Sequence, residues 1–272
     1  MPSSPLAPLL SLATPAAIAH RGGGKLRPEN TLEAFAHAAG HGVDAIECDV
    51  RLSRDREVVV VHDETLDRTT NASGPVAALT ASELARVDAG WRFGADQGFP
   101  HRGRGIGIPR LVDALMRWPQ MPFIVEIKGD RAEDVPVVLD AIGKADAFDR
   151  VIVGGFSGPV LQAARERQRG ITTSASMPEV RSALRRAWLR CRPKRTGFDV
   201  FQVPMRFRGR RVLTRTFVRA ARRADVPVQV WVVDEADEMR MLLDWGVTGL
   251  ISDRPDVAVR IVRERAGVGR EA

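Results

Sequence analysis

The sequence predicts an α/β chain, a (β/α)8 TIM-type barrel with a small insertion after the hairpin on its second strand. Three observations predict it. Eight short apolar, β-branched runs recur along the chain, helical stretches separate them, and chemically capable polar residues gather at their ends. Alternating strands and helices of this length build parallel sheet, eight such units close into a barrel, and catalytic groups collect on the rim where strands end. The 272 residues suit one large domain of that kind. The expected domain covers 16–260, with 64–110 as an inserted subdomain and 1–15 and 261–272 as tails.

The first strand is expected over Ala16 to His20, an apolar run ending in a polar residue, with Arg21 directly after it. Gly22 to Gly24 follow, a loop on which a ligand could approach the backbone closely. Pro28-Glu29-Asn30 then opens a helix, with Asn30 expected as N-cap and Glu33 at the N3 position of a capping box. Leu32, Phe35, Ala36 and Ala39 form its inward face, and Gly40 or Gly42 ends it. His37 and His41 stand four apart, but no Glu adjoins the first and the second falls at the Gly-flanked helix end. They are not expected to form a zinc pair.

The stretch AIECDVRLSRDREVVVVHD, residues 45–63, organises the chain. It predicts a strand, a turn near Arg54 and Asp55, and a β-branched return. Glu47 and Asp49 leave one face of the strand, while Ile46, Cys48 and Val50 leave the other. A turn at that place brings His62 back to the level of Cys48 and Asp49. Such a set is costly to bury unless a metal or substrate compensates it.

The segment 64–110 is rich in glycine and arginine, and an insertion of that length without strong periodicity is expected to carry function or form a lid. Within it Thr80-Ala81-Ser82-Glu83 is helix-start chemistry, and Trp91, Phe93 and Phe99 are apolar anchors. A helix is expected over 108–115. The remaining strands are expected at 123–128, 151–153, 171–174, 199–203, 228–233 and 248–251, with helices at 135–144, 159–168, 214–224 and 236–244. Glu126 and Lys128 share one face of the third strand.

Composition narrows the class. A 28% charged fraction beside 44% hydrophobic residues excludes a disordered chain, and two distant cysteines, Cys48 and Cys191, give no disulfide framework. No apolar run approaches the ~20 residues of a membrane span, so no stable membrane insertion is expected. The first 17 residues carry no basic residue and are broken by Pro5, Pro8 and Pro15, which makes a poor secretory signal and predicts a cytoplasmic protein. The net charge of +7 fits anionic ligands. Its arginines lie along helical faces without alternating aromatics, so a solvated basic surface is expected and nucleic acid is not. Nothing in the sequence sets the oligomeric state.

The expected rim holds His20 and Arg21, Glu47 and Asp49, His62, Glu126 and Lys128, and Trp231. Three carboxylates with no thiolate nearby suit a hard divalent cation, Ca²⁺ or Mg²⁺. Arg21 and Lys128 would neutralise non-bridging phosphate oxygens, and two histidines suit proton transfer in displacement at phosphorus. That combination describes cleavage of a small-molecule phosphodiester.

His20-Arg21, Glu29-Asn30-Thr31, Glu47-Cys48-Asp49-Val50, His62-Asp63, Glu126-Ile127-Lys128 and Ile251-Ser252-Asp253-Arg254-Pro255-Asp256 together resemble the glycerophosphodiester phosphodiesterases. The likeness spans essentially the whole chain. It implies a TIM-type barrel that hydrolyses glycerophosphodiesters to an alcohol and glycerol 3-phosphate, usually with Ca²⁺ or Mg²⁺. It further implies Glu47, Asp49 and Glu126 as metal ligands, His20 and His62 as the acid/base pair, and Arg21 and Lys128 on phosphate. By analogy with related phosphodiesterases, His20 is expected as base and His62 as acid. Phe156 and Trp231 are expected to line the pocket for the alcohol portion.

Three places depart from the family pattern: Trp231-Val232-Val233-Asp234 where Trp-x-Val-Asn is frequent, Gly155-Phe156 for Ser-Phe, and Ile108-Pro109-Arg110 for Ile-Pro-Thr. Two other readings compete. One is a lysophospholipase D-like enzyme for longer-chain substrates, with an apolar groove near Trp91, Phe93 and Trp231. The other is a non-catalytic basic binding protein, which predicts a missing rim residue where all seven catalytic, phosphate and metal positions are filled.

Overall fold

Alternation with period two decides the architecture. In the computed structural model, which describes residues 4–194 and 196–267, the chain forms eleven strands. They are β1 (Ala16–Ala19), β2 (Ala45–Leu52) with its antiparallel return β3 (Val58–Val60), β4 (Phe123–Ile127), β5 (Val151–Gly154), β6 (Thr172–Thr173) and β7 (Phe201–Pro204). A small hairpin, β8 (Arg206–Phe207) and β9 (Arg210–Arg211), precedes β10 (Val228–Trp231) and β11 (Gly249–Ser252). Eight of these are parallel neighbours in the order β6-β5-β4-β2-β1-β11-β10-β7. The two ends of that order meet through a parallel bridge between Ser174 and Val200, which closes the barrel.

The helices are α1 (Ala7–Leu10), α2 (Leu32–His41), α3 (Ala81–Leu84), α4 (Leu111–Arg117), α5 (Val135–Lys144), α6 (Gly158–Arg167), α7 (Met177–Trp188), α8 (Arg215–Arg222), α9 (Ala236–Trp245) and α10 (Pro255–Ala266). Among the described residues none is long and apolar enough to cross a membrane. Odd and even strand positions enter different cores. Ala17, Ala19, Ile46, Cys48, Val50, Phe123 and Val125 pack outward against the helices. Ala16, Ile18, Ala45, Ile124, Ile152 and Ile251 fill the barrel interior. Two residues further along the same inward rows stand His20, Glu47 and Glu126, so the apolar floor and the polar rim are successive steps of one alternation.

The insertion has its own core of Leu66, Val76, Leu84, Ile106 and Ile108 around Val59 and Val61 of the hairpin arm. Its one regular helix, α3, starts with the expected capping box: Glu83 N donates to Thr80 Oγ1 and Thr80 N donates to Glu83 Oε2. Trp91 and Phe99 do not anchor that core; the Arg102 guanidinium lies 4.2 Å from the Trp91 ring and 3.8 Å from that of Phe99.

Several expectations are corrected. The helix expected over 108–115 begins only at Leu111, because Ile108 is buried in the insertion and Arg110 bridges to Val59. Helix α7 and the β8–β9 hairpin are additions to the expected elements: arginines interrupt the apolar row of α7 along the chain, and each strand of the hairpin spans only two residues. The C-terminal tail begins later than 261, since α10 runs to Ala266 with Ile261 and Val262 buried. The segment before residue 16 is no simple tail either. Leu6 and Leu9 are buried among the inward residues of the barrel, and the Leu9 carbonyl accepts from Gln229 Nε2 at 3.0 Å. Leu6 and Leu9 therefore plug the floor of the barrel. Leu9→Ala is expected to lower stability by about 2–5 kcal/mol, read as a shift of the urea midpoint at unchanged slope.

Candidate active site

The site is assembled where β1, β2, β4 and β11 end. After β1 the chain turns sharply at His20–Gly22, with Arg21 at φ 51° and Gly22 at φ 79°. A Cβ on Gly22 would lie 2.7 Å from the Phe35 ring and 2.8 Å from Ala34 Cβ. The glycines thus serve close packing of α2 and of the turn after β11, rather than approach of a ligand. That packing sets the Arg21 backbone N–H on Glu47 Oε2 at 3.0 Å and brings Asp253 Oδ1 to 2.7 Å from His20 Nδ1.

Glu47 and Asp49 project inward from β2 as their spacing requires. The hairpin pairs Val50 with Val60 and Leu52 with Val58, and continuation of that register sets His62 opposite Cys48, as expected from the turn. Val61 N donates to Asp49 O at 2.9 Å, holding the return arm beside the acids. His62 Nδ1 lies 2.6 Å from Asp63 Oδ1, so Asp63 orients the imidazole. Asp63 in turn holds Arg68 of the insertion, and Arg68 reaches both oxygens of Glu29 at 2.7 Å. Glu29 also accepts from Arg21 Nη1 at 2.8 Å, so a continuous charged chain joins the two imidazole arms.

Asp49 is the centre of the cluster. Lys128 Nζ stands 2.8 Å from its Oδ1, Arg21 Nε 3.0 Å from its Oδ2, and Asn30 Nδ2 donates to Oδ2 at 2.9 Å. Lys128 Nζ also lies 2.6 Å from Glu126 Oε1. Asn30 corrects the sequence reading. The N-cap of α2 is Thr31, whose hydroxyl accepts from Ala34 N, whereas Asn30 is buried at φ 58° and grips Asp49 through both its backbone N–H and its carboxylate.

Electrostatics divide the groups. Burial alone would raise the Asp49 carboxyl, but Lys128, Arg21 and His62 outweigh it and hold it below the usual range. Glu47 goes the other way. Burial and the neighbouring Asp49 charge push it up to about 8, with His20 Nε2, 4.0 Å away, the one basic side chain within that distance of its carboxylate among the described residues. Burial lowers His20, yet the Asp253 hydrogen bond and the Glu47 charge leave it raised overall. At His62 burial prevails over Asp49 and Asp63, helped by Lys128 and Arg21, and the ring is lowered.

One oxygen each from Glu47, Asp49 and Glu126 lie within 4.8 Å of one another, the one such cluster of metal-binding types among the described residues. These three carboxylates fit a hard divalent cation: all donors are oxygen, and Glu47 is a buried carboxyl short of positive partners. His37 and His41 meet edge to face, their ring centroids 4.6 Å apart, and belong to no such cluster among the described residues.

A pocket of about 790 Å³ opens over the cluster and contains all seven expected catalytic, phosphate and metal residues. Phe156 and Trp231 meet edge to face on its wall, their ring centroids 5.8 Å apart. Trp91 and Phe93 do not line it; the apolar wall comes from Met177, Val180 and Leu184 of α7 and from Phe207 of the hairpin. Asp253 and Arg68, which the sequence reading left without a role, and Asn30, which it read only as a helix cap, complete the site. Asn30 and Asp253 lie in the motifs that carry the family resemblance, whereas nothing local distinguishes Arg68. Asp234, one of the departures from the family pattern, accepts from Ser252 Oγ and Asp253 N and pairs with Lys25 at 3.0 Å, steadying the segment that presents Asp253.

The comparisons with known proteins agree in kind. The profile described as Glycerophosphoryl diester phosphodiesterase family matches residues 20–257. A Mycobacterium tuberculosis protein, "Probable glycerophosphodiester phosphodiesterase 2", is 33% identical over 89% of this chain and 88% of its own length. The glycerophosphodiester phosphodiesterase of Caldanaerobacter subterraneus is 31% identical over 91% of this chain and 97% of its own. The crystal structure of glycerophosphodiester phosphodiesterase from Agrobacterium tumefaciens superposes with a TM-score of 0.70 at 26% identity, covering 91% of this chain and all of that one.

Proposed function

The chain belongs to the glycerophosphoryl diester phosphodiesterase family and is a phosphoric diester hydrolase, and we propose that it cleaves glycerophosphodiesters to an alcohol and glycerol 3-phosphate using a divalent cation and two histidines. The observation that carries this reading is the meeting of two imidazole–carboxylate pairs with three carboxylates, Arg21 and Lys128 in one pocket.

Glu47, Asp49 and Glu126 would hold Ca²⁺ or Mg²⁺, which supplies positive charge against the phosphoryl oxygens. Arg21 and Lys128, fixed by Glu29, Asp49 and Glu126, face the same anion as hydrogen-bond donors. Donation from His20 Nδ1 to Asp253 leaves Nε2 free to take the proton of the nucleophile. Donation from His62 Nδ1 to Asp63 likewise leaves its Nε2 as the nitrogen that serves the leaving alcohol. His62, with 32% of its side chain exposed against 13% for His20, stands nearer the side from which an alcohol departs. A cation held by Glu47 would weaken the attraction of that carboxylate on His20, leaving Asp253 as the group that holds the ring raised.

Release of glycerol 3-phosphate from glycerophosphocholine tests the proposal. Activity is expected with Ca²⁺ or Mg²⁺ and none in EDTA; equal activity in EDTA would overturn the metal requirement. The affinity for the cation should also depend on pH. Glu47 must be ionised to bind, and its proton leaves only near pH 8. Affinity is therefore expected to rise about tenfold per pH unit below ~8 and to level off above it, with proton release visible by calorimetry in buffers of different ionisation enthalpy.

The apolar wall at Met177, Val180, Leu184 and Phe207 supports a second reading of the substrate, a single-chain lysophospholipid. Parallel turnover of lysophosphatidylcholine and glycerophosphocholine distinguishes the two.

A further inference from the structure

We infer that the chain docks onto anionic lipid surfaces through the C-terminal end of α7 and the β8–β9 hairpin, beside the mouth of the catalytic pocket.

The apolar stripe of α7 carries the argument. Val180 and Leu184 line the pocket, and Trp188 lies four residues further on, the next position of the same helical row. The row therefore leaves the pocket wall and continues onto the outer surface. There Trp188 is 82% exposed and the following Leu189 62%, the two most exposed large apolar side chains among the described residues. A soluble chain seldom presents a tryptophan so fully unless something covers it.

Charge identifies what covers it. Arg185, Arg190 and Arg192 are exposed around Trp188, and no carboxylate occurs from residue 180 to 194. The hairpin, which borders the same pocket, turns tightly at Arg208-Gly209, both with positive φ, and holds four arginines within six residues. Among the described residues none of these arginines forms an ion pair with a carboxylate, although the chain pairs many others. Basic side chains flanking an exposed Trp-Leu pair match a lipid headgroup layer, where the rings enter the interface and the guanidinium groups meet phosphates. A second copy of this chain would set one basic face against another. Nucleic acid would leave the apolar pair uncovered.

The test uses the whole chain with vesicles of phosphatidylcholine alone and of phosphatidylcholine with phosphatidylglycerol. Sedimentation with the mixed vesicles, a blue shift of tryptophan emission and release by high salt are expected, with no binding to the neutral vesicles. The W188A/L189A variant is expected to bind at least about tenfold more weakly while turning over soluble glycerophosphocholine like the parent. R185E/R190E should lose binding in the same way, and circular dichroism reports that both remain folded.

Equal behaviour toward the two vesicle types would overturn the inference, as would full binding by both variants. So would duplex DNA binding that is unaffected by W188A/L189A and displaces the vesicles. Self-association in the parent that disappears in W188A/L189A would assign the patch to a second copy instead.

Discussion

Replacement of His20 by alanine is expected to lower kcat on glycerophosphocholine by about 10²–10⁴-fold, the range that one positioned proton-transfer group supplies. The loss should persist when the substrate carries a nitrophenyl leaving group, because a good leaving group spares the acid and not the base. His62→Ala should lose as much on glycerophosphocholine and recover most of it on the nitrophenyl ester. The reversed pattern would exchange the two roles. Asp253→Asn is expected to act through His20. Its amide offers no charge to hold the Nδ1–H tautomer, so the pH–rate limb governed by His20 should move down while KM changes little.

The second large effect falls on Asp49. Asp49→Ala removes a proposed cation ligand and the shared partner of Lys128, Arg21 and Asn30. Breaking a buried ion pair by removing one member costs about 3–5 kcal/mol. Both cations keep a second carboxylate, Glu126 for Lys128 and Glu29 for Arg21, which directs the expectation to about 3 kcal/mol, the lower end of that range. Denaturant unfolding should show that loss, and calorimetry should show no saturable Ca²⁺ or Mg²⁺ binding. Asn30→Ala separates the two effects. It should weaken cation binding by disordering Asp49, yet leave all three carboxylates present. Unchanged cation affinity in Asn30→Ala would mean that Lys128 and Arg21 alone hold Asp49 in place.

Glu47→Gln offers a further contrast with Asp49→Ala. A neutral amide occupies a position whose carboxyl is already driven toward its neutral form, so stability without cation should hardly fall while cation binding is lost. The two variants thus differ in their effect on the unoccupied protein: Asp49→Ala removes the oxygen ligand, while Glu47→Gln removes only its charge.

The sequence by itself determined the features that depend on neighbours along the chain. Period-two alternation on β2 put Glu47 and Asp49 inside and Cys48 outside, and the same alternation put Glu126 above Ile124. The turn at 53–57 fixed the hairpin register and hence the level of His62. The recurring β-branched runs gave the barrel, since each parallel strand needs a crossover before its neighbour. Tertiary structure decided what depends on closure. His20 meets Asp253 across 233 residues because β1 and β11 become neighbours only in the closed ring. Arg68 reaches Glu29 and Asp63 only after the insertion folds back on the rim. Asn30 looked like a helix cap because a capping residue and a carboxylate clamp have the same local sequence. The plug of Leu6 and Leu9 was hidden for a similar reason. Whether a short apolar segment lies in solvent or in a barrel floor is set by the cavity that distant strands leave open, and no local pattern records it.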